Sequence, residues 1–235
     1  MASPLRSYIA ETRRPVYSAA LLLPFFLIYH AGTIFLGTTY VNGADALIVR
    51  LLSLLSVHSI FASAIVLLLC FAFWQLKTRA SWEVKSGRLA CLFAESCFFA
   101  LLLFVITGWL SIHLSRSASR GGPAGALEKL VLYCGAGIYE ELVFRGFLLG
   151  ILLLLFLGAA HMKRVPGAIL AATLAAFIFA VFHYVGPAAD TFSIQSFLQR
   201  SFGGLYFSAL FVTRGFGVTA ASHALYDILV GLLLA

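Results

Sequence analysis

Charge is what this sequence has least of. Of its 235 residues, 9 are Asp or Glu and 16 are Lys or Arg, so 11% are charged while 62% are hydrophobic. A soluble domain carries roughly a quarter charged residues and about half apolar ones, which excludes a chain with its whole outer surface in water. Cysteine is also scarce. Cys70, Cys91, Cys97 and Cys134 form no CxxC pair and sit in or beside apolar stretches. That removes a disulfide framework and a zinc ribbon and leaves small hydrophobic filler. There is no HExxH, hence no zinc-protease motif carried on one helical turn. No fixed-period repeat, low-complexity tract or shift of composition marks a second domain, so residues 1–235 are expected to form one. The first apolar run follows basic residues, as in a signal peptide, but it extends over 16–36 with no A-x-A site after it. It is expected to remain as the first span.

What is abundant is long apolar runs, among them 19–28, 60–74, 97–110, 147–160 and 168–182. A helix rises ~1.5 Å per residue and the hydrocarbon core is ~30 Å thick, so runs near ~20 residues read as membrane spans. The expected fold is all-α, a polytopic transmembrane helix bundle of about seven or eight spans. They are placed at 16–37, 54–76, 89–113, 126–160, 166–185, 193–213 and 216–234, with a short interfacial helix at 45–54. Region 126–160 would be ~50 Å long if fully helical. It is expected to be two elements, or one tilted helix broken near Gly146 and Gly150. Trp74, Trp82 and Trp109 fall near span ends, as interfacial aromatics do.

The net charge of +7 comes from basic residues at the ends of apolar runs: Arg13, Arg14, Lys77, Arg79, Lys85, Arg88, Lys163, Arg164 and Arg214. That placement is a topology signal rather than a nucleic-acid surface. It sets the N-terminus, loops 77–88 and 161–165 and the Arg214 turn in the cytoplasm, whereas Arg116 and Arg120 fall on the opposite side and run against the rule. The expected setting is an integral multi-pass protein of a bacterial inner (plasma) membrane, with the lipid bilayer as partner and no nucleic acid.

The few charges inside apolar spans carry the chemistry. Glu140, Glu141, Arg145 and Asp227 would together cost on the order of 10 kcal/mol if unpaired and facing lipid. They must therefore pair, face the bundle interior or line a wet cavity. Glu141 and Arg145 are four apart and share a helix face, so they suit an ion pair. Glu140 is turned ~100° away and is left available as a general base or acid. The same cluster also suits purely structural stitching between helices. His183 ends an apolar span, where a lone histidine is more often a hydrogen-bonded interfacial residue than a catalyst. His223 and Asp227 share a face. Asp227 could orient the ring, fix its tautomer or share a ligand with it, and a buried His–Asp bridge is the plainer reading.

Taken in order, Glu140-Glu141-x-x-x-Arg145, Phe179-x-x-x-His183 and His223-x-x-x-Asp227 resemble the three motifs of the CAAX prenyl endopeptidase and bacteriocin-processing (CPBP, Abi) intramembrane proteases. The resemblance covers about 126–234; the N-terminal half carries no motif of this kind. It implies a bundle of about eight helices with a conical polar cavity, acting on a membrane-associated protein or peptide substrate. Glu140 and His183 would activate a water, His223 and the residue at Asp227 would stabilise the oxyanion, and Glu141 and Arg145 would brace the site. The family often has Asn at the place of Asp227, and an ionised Asp cannot donate to an oxyanion. Asp227 is then protonated, serves His223 or ligates a metal. Glu140, His183, His223 and Asp227 have the donor chemistry of a zinc site, but spacing on separate spans does not decide it.

Two other classes compete: a proton-coupled transporter, which also uses buried Glu, His and Asp, and a non-catalytic scaffold of the same fold. His30, His58, His113 and His161 are read as interfacial or packing residues, and Glu95 as a partner for a nearby polar group. Gly146, Gly150, Gly203 and Gly204 are expected to let helices approach closely.

Overall fold

The computed structural model describes residues 3–37, 41–57, 59, 61–113, 125–186 and 189–233. Among them the chain is helical throughout, with no strand. Helix α1 (Pro4–Thr12) is capped by Ser3, whose side chain accepts from the Arg6 N–H. An elbow at Arg13–Arg14 leads into α2 (Pro15–Leu36), with Pro15 at the first helical position, where its missing N–H costs nothing. Then come α3 (Gly43–Ser53), α4 (Ala62–Thr78), α5 (Ser86–His113), α6 (Ala126–Ala159), α7 (Arg164–Phe182), α8 (Ile194–Arg214) and α9 (Phe216–Leu233).

Helices α2, α6 and α7, and α5 over Ser86–Gly108, are long and apolar enough to cross a membrane; α4, at 17 residues, is apolar but shorter. The polarity of the bundle is inverted relative to a soluble protein. Leu27, Phe73, Leu101, Leu154 and Phe177 lie exposed, whereas Glu140, Glu141, Arg145 and His223 are buried. The chain is an integral membrane protein. The expected interfacial helix at 45–54 is α3, and the span expected from residue 54 begins only at Ala62, because a turn over 54–56 separates the two helices.

The long region is one helix of 34 residues, neither divided in two nor broken at Gly146 or Gly150. Backbone leaving the helix in lipid would orphan polar groups with no water to take them. The helix widens instead. Ala136–Glu140, Leu142–Leu149 and Leu154–Ala159 adopt π geometry, while Glu141 and Gly150 keep right-handed helical angles. Such bulges cluster at functional sites. Of the four glycines expected to permit close approach, Gly204 does so and the other three do not, while Gly137 joins it. A Cβ on Gly137 would lie 2.6 Å from the Ala220 carbonyl oxygen, and one on Gly204 would lie 2.9 Å from Ala176 Cα. Positions 150 and 203 face open space, and at Gly146 the nearest atoms belong to its own helix. Gly137 therefore sets the α6–α9 spacing and Gly204 the α7–α8 spacing.

The basic residues gather at one end. Arg14 donates to the Ser81 and Glu83 carbonyls at 3.2 and 2.9 Å, and Arg13 to those of Thr213 and Val212. Glu11 pairs with Lys85 and Arg88. This joins the N-terminal elbow, the 79–88 loop and the Arg214 turn, three segments expected on the same side. Arg116, Arg120 and His58 lie outside the described residues. Glu95 has its partner here: it pairs with Arg214 and accepts from the Tyr8 hydroxyl at 2.9 Å.

Candidate active site

Helices α6, α7 and α9 each bring one ionisable segment to a common point. The π stretch Ala136–Glu140 packs against α9 and α3, and α7 packs against α8 and the wider part of α6. Two consecutive glutamates can both turn inward here because a π turn carries more residues per turn than an α turn.

Glu141 is fully buried and accepts from Arg145 Nη1 at 2.8 Å, the four-residue pair expected from spacing. Arg145 is equally buried; its Nη2 donates to the Gly204 carbonyl at 3.3 Å and its guanidinium lies 4.4 Å from the Phe179 ring centroid. The Glu141 oxygen that receives Arg145 also lies 2.7 Å from His223 Nδ1. A carboxylate only accepts, so the hydrogen sits on Nδ1. The ring stacks on Phe207, with centroids 4.5 Å apart and planes at 21°. Its hydrogen-bond partner is thus Glu141, 82 positions away. Asp227, one turn along α9, faces Nε2 at 3.5 Å, beyond ordinary hydrogen-bond length.

His183 caps the C-terminus of α7, and its Nδ1 lies 2.9 Å from the Phe179 carbonyl oxygen. A carbonyl accepts only, so in the neutral ring Nε2 is left with a free lone pair. Glu140 Oε2 lies 3.9 Å from His183 Nε2 and 3.9 Å from His223 Nε2. Both gaps are too long for direct hydrogen bonds and suit one bridging water. The other oxygen, Oε1, accepts from Asn42 Nδ2 at 3.0 Å. Asn42 comes from the N-terminal half, and the motif reading missed it. Its position before α3 reads as a helix N-cap, but nothing local says that it faces a residue 98 positions on.

As zinc ligands the four residues fit poorly. Tetrahedral zinc with bonds of ~2.0–2.1 Å keeps its donors about 3.4 Å apart, whereas Glu140 stands 3.9 Å from both imidazoles. Among the described residues no three His, Cys, Asp or Glu side chains are grouped as metal ligands.

Beside the site lies a cavity of about 540 Å³ between α2 and α3, bordered by His30, Asp45 and Arg50 among others. His30 packs there against Tyr139, with its Nε2 2.8 Å from the hydroxyl. His161 sits in the exposed turn after α6; the side chain of His113 lies outside the described set.

Residues 123–229 match the model of a family described as type II CAAX prenyl endopeptidase Rce1-like. No curated protein and no solved structure matches the chain.

Proposed function

From the match of residues 123–229 to the Rce1-like CAAX prenyl endopeptidase family model, we propose that the protein is an intramembrane endopeptidase of that family. It hydrolyses a peptide bond near the terminus of a membrane-associated protein, with Glu140 as general base. The whole chain acts as a single membrane domain of seven spans, α2 and α4 to α9, in a bacterial inner membrane, with α1 and α3 at its faces.

The observation that carries this reading is the position of Glu140 Oε2, 3.9 Å from each of two imidazole Nε2 atoms. A water held there donates one hydrogen to Glu140 and the other to the His183 Nε2 lone pair. Glu140 takes the proton as the water oxygen bonds to the scissile carbonyl carbon. The carbonyl oxygen becomes an oxyanion, which His223 stabilises through Nε2–H when its ring is protonated. Asp227, 3.5 Å from that nitrogen, steadies the imidazolium rather than donating itself. As the tetrahedral intermediate collapses, the C–N bond breaks and Glu140 returns its proton to the leaving amine. A general base of this kind supplies about 10²–10⁴-fold in rate, and donors aimed at an oxyanion about 10²–10³-fold. Glu141 and Arg145 hold His223 in register.

The test is comparative terminal proteomics of cells carrying the wild type or Glu140→Gln. The isosteric amide cannot take a proton, so a defined set of cleavages disappears while the protein remains in the membrane. Identical termini in both strains would remove the mechanism.

A further inference from the structure

We propose that Asn42, which lies outside the family-matched region, is a positioning residue for Glu140: its side-chain amide holds one carboxylate oxygen so that the other faces His183 and His223. The catalytic consequence rests on the protease reading; the contact itself does not.

The amide's orientation is fixed by its surroundings. The Ala44 N–H donates to Asn42 Oδ1 at 2.8 Å, so that atom must be the acceptor, and Nδ2 is the group turned to Glu140 Oε1 at 3.0 Å. The backbone is held as well. The Asn42 N–H donates to the Tyr29 hydroxyl at 3.1 Å, and that hydroxyl donates to the buried Asp45 carboxylate. Asn42 is itself buried, and α3 packs against the π stretch that carries Glu140. Every polar group of the Asn42 side chain is therefore committed, one end to capping α3 and the other to Glu140. The clamp matters because the terminal torsion of a glutamate is broad and roughly two-fold. Neither imidazole is close enough to fix it, each lying 3.9 Å from Oε2. Asn42 is the one described side chain within hydrogen-bond range of Glu140 Oε1. The N-terminal half thereby supplies part of the site.

The structural alternative is that Asn42 merely caps α3. Two variants separate the roles, because Ser and Asp are both good N-caps and neither carries an amide donor. In Asn42→Ser the Glu140-dependent cleavages slow by about ten- to hundredfold, the range expected when a hydrogen bond to a charged group is lost. In Asn42→Asp, which sets a second carboxylate against the first, they slow further. Melting of both proteins in nanodiscs stays near the wild type. A second readout does not need the activity. The infrared carboxylate band removed by Glu140→Gln belongs to Glu140, and it shifts in Asn42→Ser. A shifted band with slowed cleavage supports the proposal. An unshifted band, or a shifted band with wild-type cleavage, overturns it. If Glu140→Gln itself changes no cleavage, the protease reading falls and the band alone decides whether Asn42 positions this carboxylate.

Discussion

At the basic end of the bundle, Glu95 accepts from Arg214 through both oxygens, Oε2 to Nη2 at 2.7 Å, and from Tyr8 at 2.9 Å. Near the other end, Glu140 accepts one hydrogen bond, from Asn42, and its second oxygen faces two imidazoles at 3.9 Å. Both carboxylates belong to helices that cross the membrane, and each has basic groups nearby. The first is engaged at both oxygens, and its hydrogen bonds join α5, α8 and α1. The second is braced on one side and left open on the other. A gap that protein atoms could have filled is instead the width of a water, which is what a base must have if it is to act on one. Glu141, adjacent to Glu140, sharpens the contrast: it is closed by Arg145 at 2.8 Å and His223 at 2.7 Å.

The largest stability effect should come from breaking that closed neighbour. Arg145→Ala leaves Glu141 without its guanidinium in a site where both side chains are almost wholly buried. It also removes the cation held over Phe179 and Phe207. Removing one partner of a buried pair costs about 3–5 kcal/mol, to be read from denaturant unfolding in mixed micelles. The double variant Glu141→Gln with Arg145→Met restores part of that stability, since no charge is then orphaned. Cleavage does not return, because the neutral amide no longer balances the charge of the protonated His223 ring. If the double variant cleaves like the wild type, Glu141 is a structural residue only.

The complementary change at the basic end sharpens the comparison from the other side. Glu95→Gln keeps the shape but weakens the charge-assisted bonds to Arg214 and Tyr8. The loss is about 1.5–3 kcal/mol, the range for hydrogen bonds to charged groups. The Glu140-dependent cleavage rate, normalised to folded protein, stays at the wild-type value. A specific loss of rate without loss of fold would mean that the two ends are coupled and that Glu95 is more than a fastener.

How far these contacts could be read in the sequence depends on how local they are. Glu141 with Arg145, and His223 beside Asp227, follow from the helical period, and both pairs are adjacent in space, at 2.8 and 3.5 Å. Long apolar runs located the helices because lipid demands a simple pattern. Contacts between helices left no such trace. The bond from His223 to Glu141 spans 82 positions, that from Asn42 to Glu140 spans 98, and that from Arg214 to Glu95 spans 119. Gly146, Gly150 and Gly203 were misread for the same reason, whereas Gly204 was read correctly. Whether a missing Cβ matters depends on what stands opposite, which is Ala220 at Gly137 and open space at Gly150. The widening of α6 was equally hidden. Gly146 and Gly150 signal a break in water, whereas in an apolar surrounding the helix kept its hydrogen bonds and changed its pitch.

The smallest expected effect lies outside the spans, at the surface counterpart of the Glu95 cluster. Partial burial pushes the Glu11 carboxyl up. Hydrogen bonds from Lys85 and Tyr17, together with the charges of Lys85 and Arg88, outweigh that and hold it below its ordinary value of 4.5. A depressed pKa means that the folded state prefers the ionised form. Its contribution is present above the unfolded value and is lost as pH falls through the folded one. Acidification from pH 6 to below about 4 should therefore lower the melting temperature of the wild type slightly more than that of Glu11→Gln, measured in nanodiscs at low salt. Raising the salt should narrow the difference, because Lys85 and Arg88 are exposed and screened. Glu140, shielded within the bundle, should show no comparable salt dependence in its cleavage rate. An equal salt response at the two sites would mean that the gap beside Glu140 stands open to bulk solvent, and the contrast between a surface clasp and a sheltered carboxylate would dissolve.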